Sequence, residues 1–167
     1  MAQDEIGHAR SLYPLLEDLV GKSPEVEPET RGSFTNAAFL DEAFRNWTDF
    51  VAANFLFDTA LTVLIESASS SSLAGLAQRA RRISQEERLH WLHGEGWTRR
   101  LGGEGGPVRH ALLASFERVH PDSERLFEVA AVPLVQAGVL DSGAEELHAG
   151  YRTRIDPVLS SIGLALR

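Results

Sequence analysis

The chain has 167 residues, 43% of them hydrophobic and 24% charged, with a formal net charge of -8 and no cysteine. A chain of this length forms a single domain, residues 1–167, around one core. The negative charge repels a phosphate backbone and excludes nucleic acid as the expected partner. The absence of cysteine rules out a disulfide framework, a thiolate nucleophile and Cys-ligated zinc or iron–sulfur sites, so any metal must be held by His and carboxylates. No apolar run is read as long enough to cross a bilayer, and no basic region followed by an apolar core opens the chain. The expectation is a soluble, cytoplasmic protein.

Apolar residues recur at helical spacing from one end to the other, and no segment alternates as a strand does. The first helix is predicted over 3–20, kinked at Pro14. The polar stretch "GKSPEVEPETRGSFTN" follows as a loop. A long helix is predicted over 39–68, and the short serine turn "ASSSS" returns the chain into a second long helix over 73–101. So short a connection makes the two antiparallel neighbours. Gly102 and Gly103 read as the stop of that helix, after Arg99 and Arg100 in its last turn. Shorter helices are expected over 107–119, closed by Pro121, then over 122–138 and 143–165. The fold class is all-α, a helical bundle.

Glu-x-x-His occurs four times: Glu5/His8, Glu87/His90, Glu117/His120 and Glu145/His148. Residues three and four apart share a helix face, so the neighbours of each pair tell where it points. Glu5 and His8 continue onto Leu12, Leu15, Leu16 and Leu19, a core face. Glu87 and His90 lie between Ala80 and Ile83 on one side and Trp91, Gly94 and Trp97 on the other, again a core face. Glu117 and His120 sit before Pro121 and read as a helix-end feature, the His meeting the negative end of the dipole. Glu145 and His148 lie off the apolar stripe of Leu147, Tyr151, Ile155, Leu159 and Ile162, and read as solvated.

A carboxylate on an apolar face costs several kcal/mol if left charged and unpaired. The helix between the two core-facing pairs adds Asp58, on the face of Val51, Asn54, Phe55, Leu61, Thr62 and Ile65. Three converging carboxylates repel one another unless divalent cations lie between them, and a mixed His and carboxylate shell suits iron or manganese. Taken singly, a core Glu, His or Asp is more often a hydrogen-bonded buried residue than a ligand. Trp91 and Trp97 read as core packing. Arg79, Arg81 and Arg82, with Arg99 and Arg100, read as solvated charge.

Di-iron carboxylate bundles use one carboxylate from each of two helices and a Glu-x-x-His from each of two others. This chain supplies both Glu-x-x-His helices and one single-carboxylate helix. Beyond that scheme, "AQDEIGHARSLYPLLEDL", "NFLFDTALTVLIES", "ISQEERLHWLHGEGWTRRLGGE" and the tail "LVQAGVL…YRTRIDPVLSSIGL" resemble the phenylacetic acid catabolic protein family. These are ferritin-like subunits of the bacterial phenylacetyl-CoA epoxidase, a multicomponent monooxygenase. The resemblance implies a ferritin-like bundle and two iron ions, with Glu5 and His8 on one iron side, Glu87 and His90 on the other, and Asp58 from the intervening helix. It also implies a CoA-thioester substrate, an electron-donating reductase and other monooxygenase subunits as partners. The family's catalytic subunit carries the di-iron centre; its sister subunit shares the fold, has often lost ligands and serves a structural role. The wording "HWLHGEGWTRRLGG" is closer to the sister subunit, whereas an Asp in the third place matches the catalytic one.

The family has a further helix before the stretch that resembles "QDEIGHAR", and that helix brings the remaining carboxylate. Read from Met1, the chain is expected to be an N-terminally truncated bundle, short of one helix and one ligand. An apolar groove along 3–20 and 39–68 is then expected, covered by a second copy in a homo-oligomer. Three functions follow as alternatives: a di-iron oxygenase subunit, a non-catalytic bundle subunit without metal, or a small iron- or peroxide-handling protein.

Overall fold

The computed structural model describes residues 1–20 and 36–166, with side chains from 1–15 and 36–166. The polar stretch after the first helix therefore lies, apart from Asn36, outside the described residues. Among these residues the chain folds as five helical runs and no strand. We label them α1 (Ala2–Val20), α2 (Trp47–Ser70), α3 (Ala74–Glu104), α4 (Gly106–Leu126, continued through a π turn, Phe127–Ala131, and a last α stretch, Val132–Gln136) and α5 (Ala144–Ser161).

The long helix α2 starts eight residues later than the periodicity suggests, because two polar groups hold the preceding chain in other shapes. Asp122 accepts the N–H of Phe39 at 2.8 Å, fixing a short 3-10 turn over Ala38–Asp41. The Asn46 side chain then accepts from the N–H groups of Thr48 and Asp49, an N-cap that satisfies donors the first helical turn cannot pair. From there α2 runs as α-helix, passes through a π turn over Ala53–Asp58, and resumes as α-helix.

By length and composition α2 would span a bilayer, contrary to the reading from the sequence, but 67% of its most apolar window is buried inside the fold, as suits a core helix. The apolar core gathers Val51, Phe55, Leu56 and Ala60 of α2, Leu112, Phe116 and Val119 of α4, and Tyr151, Ile155 and Val158 of α5. Burying such side chains stabilises by roughly 1.5–3 kcal/mol each.

Helix α3 buries one stripe, Ala77, Ala80, Ile83, Glu87, His90, Gly94, Thr98 and Gly102, at three- and four-residue steps. It runs past the expected stop at Gly102 and ends at Gly105, whose φ of 77° is one a side chain would resist. Gly102 serves packing instead: a Cβ there would stand 2.7 Å from Ile162. Nor does Pro121 end α4. It lies on the exposed side of the helix, where water can hydrate the carbonyl it leaves unpaired, while Val119, Ser123 and Phe127 hold the other side in the fold. Helix α1 packs along α3, and this sets the two core-facing Glu-x-x-His motifs side by side.

Candidate metal centre

Three helices deliver the site. The first turns of α1 carry Asp4, Glu5 and His8; the middle of α3 carries Glu86, Glu87 and His90; the end of the π turn in α2 carries Asp58. Glu5, Asp58, Glu87 and His90 each place one donor atom within 4.8 Å of all the others. His8 stands beside this group, its ring centroid 6.2 Å from that of His90. All five residues singled out from the sequence therefore meet.

Their contacts have a regular form. His8 Nδ1 lies 3.1 Å from Glu87 Oε1 and 3.6 Å from Glu5 Oε2. His90 Nδ1 lies 3.0 Å from Glu5 Oε1 and 3.4 Å from Glu87 Oε2, with Asp58 Oδ2 at 3.7 Å. Each glutamate thus turns one oxygen toward each histidine, and each histidine turns Nδ1 inward. The outer nitrogens are taken up across the helix pair: His8 Nε2 meets Glu86 of α3 at 2.9 Å, and His90 Nε2 meets Asp4 of α1 at 3.1 Å. Thr62 donates to Glu87 Oε2 at 3.2 Å, and Asn54 Nδ2 donates to Asp58 Oδ2 at 3.0 Å.

The electrostatics are those of acids crowded out of water. Burial, and then the charges of Asp58 and Glu5, push Glu87 up to about 8. Burial and the charge of Glu5 also raise Asp58. The outer acids go the other way. The hydrogen bond from the N-terminal amine, followed by that from His90, lowers Asp4, and the hydrogen bond from His8 lowers Glu86.

The donor set fits a divalent metal. Three carboxylates and two imidazoles are ligands for iron, manganese or zinc. His90 Nδ1 is buried with no hydrogen bond although three carboxylates surround it, which leaves this nitrogen able to serve as a ligand. Imidazoles held by a second carboxylate on the far nitrogen are the usual outer support of metal-ligating histidines. Among the described residues one single-carboxylate helix, α2, reaches the cluster, where the dinuclear scheme asks for two.

Two expectations need correction. Glu5 does not lie in the core: its side chain is 48% exposed, because α1 packs on α3 through His8 and nothing among the described residues covers its other flank. Of the two remaining Glu-x-x-His copies, the first is not a helix end, and the second is largely solvated as expected, with Glu145 exposed and the His148 side chain 40% exposed. His120 is buried in the unbroken α4 with Nε2 3.1 Å from Glu124, and His148 of α5 contacts the same carboxylate, while their own Glu117 and Glu145 point outward. Sequence reasoning missed Asp4 and Glu86, and it placed Asn54 and Thr62 on the face of Asp58 without reading them as partners of the acids. The signal for the first two was present as an acid immediately before each motif, "DEIGH" and "EERLH".

No curated protein matches the chain. The family model described as phenylacetic acid catabolic protein matches residues 1–166. With a helical bundle and two Glu-x-x-His helices meeting at one cluster, the chain belongs to the phenylacetic acid catabolic protein family.

Proposed function

We propose that the protein is a subunit of a phenylacetyl-CoA epoxidase-like, multicomponent di-iron monooxygenase acting in phenylacetate catabolism, with metal held by Glu5, His8, Asp58, Glu87 and His90. The observation that carries this reading is the meeting of Glu5, Asp58, Glu87 and His90 around an imidazole nitrogen that has no hydrogen bond. Iron bound there would supply the redox chemistry that activates dioxygen for insertion into an aromatic CoA thioester.

The chain's own side chains have distinct tasks. Glu5 and Glu87 each turn one oxygen toward His8 and the other toward His90, and both would hold the metal. His8 and His90 offer Nδ1, and Glu86 and Asp4 hold the proton on Nε2, which fixes the tautomer and aims the ring. Thr62 and Asn54 orient Glu87 and Asp58. Glu87 and His90 are closed off from water, whereas Glu5 is half-exposed.

The test is metal analysis. Protein loaded with ferrous iron without oxygen should hold about two iron atoms per chain, and Glu87→Ala or His90→Ala should lose them. Clearly substoichiometric iron in the parent protein would reject the reading.

A second reading, a non-catalytic bundle subunit, draws support from the count of single-carboxylate helices among the described residues. Under it Glu87→Ala leaves turnover of the reconstituted complex unchanged. Under either reading we infer that the flank of α1 and α2 carrying exposed Ile6 and Leu61 takes a second copy of the chain. A monomer in light scattering at micromolar concentration would count against that.

A further inference from the structure

A connected path leads from the metal cluster to the surface. Asp58 accepts from Asn54 Nδ2, and the other end of the same amide, Asn54 Oδ1, meets His93 Nδ1 at 3.1 Å. Because a carboxylate only accepts, the amide must turn its NH2 to Asp58 and its oxygen to the ring, so His93 carries its proton on Nδ1. The His93 ring then stands edge-on to Trp47 at 6.1 Å and to Phe50 at 6.1 Å, and 6.4 Å from Trp97. Trp47 itself stacks on Phe50 at 4.9 Å and meets Trp97 at 5.5 Å. The path ends in solvent, since Trp47 is 46% exposed.

Local backbone features are arranged around this path. Asn54 and Asp58, four residues apart and so on one helix face, both lie in the π turn Ala53–Asp58, a rare element that recurs at functional sites. The turn reaches His93 because residue 94 is glycine: a Cβ there would stand 3.0 Å from Asn54 Oδ1 and 3.2 Å from the Phe55 backbone. Buried packing alone calls for neither a half-exposed tryptophan nor a buried amide spanning a ligand and a histidine. Among the described residues, no other hydrogen bond of a cluster carboxylate continues to an aromatic group; the one Thr62 makes to Glu87 goes no further.

We propose that Trp47, His93 and Asn54 form the route by which electrons enter the metal centre at Asp58. The inference rests on the reading that the cluster holds iron. The donor is a one-electron carrier, a reduced flavin or iron–sulfur group of a protein partner. In each step the donor loses one electron and one ferric ion gains it, and no bond in the chain is made or broken.

The chain's lack of cysteine makes a clean test. Phe44, exposed and 6.2 Å from Phe50, is replaced by Phe44→Cys and coupled to a photoactive ruthenium complex. A control label goes on Glu146→Cys, exposed on α5 shortly after Asp141, which is hydrogen-bonded to Ser70 at the opposite end of α2. A flash then reduces the ferric protein, and the loss of ferric absorbance gives the electron-transfer rate without any turnover. The label at 44 should deliver electrons at least about tenfold faster than the label at 146, and Trp47→Leu or His93→Leu should slow the former by about tenfold at unchanged iron content. Trp47→Leu touches neither Asn54 nor Asp58, so it keeps the test readable where His93→Leu sheds iron. Equal rates from the two labels, or a rate that Trp47→Leu leaves unchanged, overturn the route alone. Failure of the parent protein to hold iron overturns the metal reading and the route with it.

Discussion

His8 of α1 and Glu86 of α3 are joined at 2.9 Å, and the same relation with the helices exchanged joins His90 of α3 to Asp4 of α1. Each Glu-x-x-His motif is preceded by an acid that serves the histidine of the other motif. The two helices are thereby locked in register by the groups that aim the inner nitrogens at the cluster.

Removing that support should weaken metal binding without unfolding the protein. Glu86 is partly exposed, so Glu86→Ala frees its site to water at little cost in stability. His8 then loses the partner that fixes its tautomer, and divalent-metal affinity should fall about 10- to 100-fold. Calorimetric titration with manganous ion reads this directly; unchanged affinity would show that Glu86 is only a surface acid.

The crowded acids predict an unusual pH dependence for the metal-free protein. Glu87 sits at about 8 in the fold against an ordinary 4.5, so between those values the folded state holds a proton that the unfolded state has released. Stability is therefore fully present below pH 4.5 and declines as pH climbs toward 8. With chelator present, Tm should be a few degrees lower near pH 8.5 than near pH 5.5 on this account. Ferrous or manganous ion, which binds the deprotonated acids, should bind more tightly as pH rises through the same window and remove the slope. A metal-free Tm that rises across the window would contradict the placement of Glu87.

The parts of this site that were legible in the sequence are those set by one helix at a time. Three-residue spacing puts Glu87 over His90 whatever else the chain does, and a 3.6-residue period puts Asp58 on the inward face of α2. What could not be read depends on a second element. Asp4 and Glu86 look like surface acids until α1 lies on α3. The start of α2 at Trp47 depends on Asn46 capping and on Asp122, 83 residues away from Phe39, capturing that residue's N–H. The passage of α4 through Pro121 depends on which side of the helix faces water. The π turn over Ala53–Asp58 has no marker in composition or period.

Asp49 predicts where the fold is most easily broken away from the cluster. It has no exposed surface, yet its carboxylate accepts from Ser115 of α4 at 2.7 Å and contacts Arg45 and Arg118, each at 3.0 Å. The Arg45 guanidinium, aided by the Ser115 hydroxyl and Arg118, holds it well below the usual carboxylate range despite its burial. Asp49→Ala leaves half-buried Arg118 without its acid and cuts the tie between the start of α2 and α4. A loss on the order of 3–5 kcal/mol is expected in urea unfolding. A loss below about 1 kcal/mol, the ordinary range of exposed pairs, would show that the ion pair does not join these helices.

Gly94 couples the fold to the site. It lies in the buried stripe of α3 where the π turn of α2 crosses, and the space for a Cβ is bounded by Asn54 Oδ1 at 3.0 Å and by backbone, Phe55 Cα, at 3.2 Å. A flexible side chain could move aside, but Phe55 is anchored in the core, so the helices must part by some tenths of an ångström. Gly94→Ala gains helix propensity, up to about 1 kcal/mol, and loses roughly 1–3 kcal/mol to overpacking, so net stability should fall modestly. Its larger effect should fall on Asp58, whose hydrogen bond to Asn54 spans the displaced turn. Metal affinity should drop more than Tm suggests, and Gly96→Ala, two residues along the same helix with open space around it, should leave metal affinity unchanged while raising Tm slightly through helix propensity. Equal metal affinities for the two variants would mean that the approach at Gly94 serves packing alone.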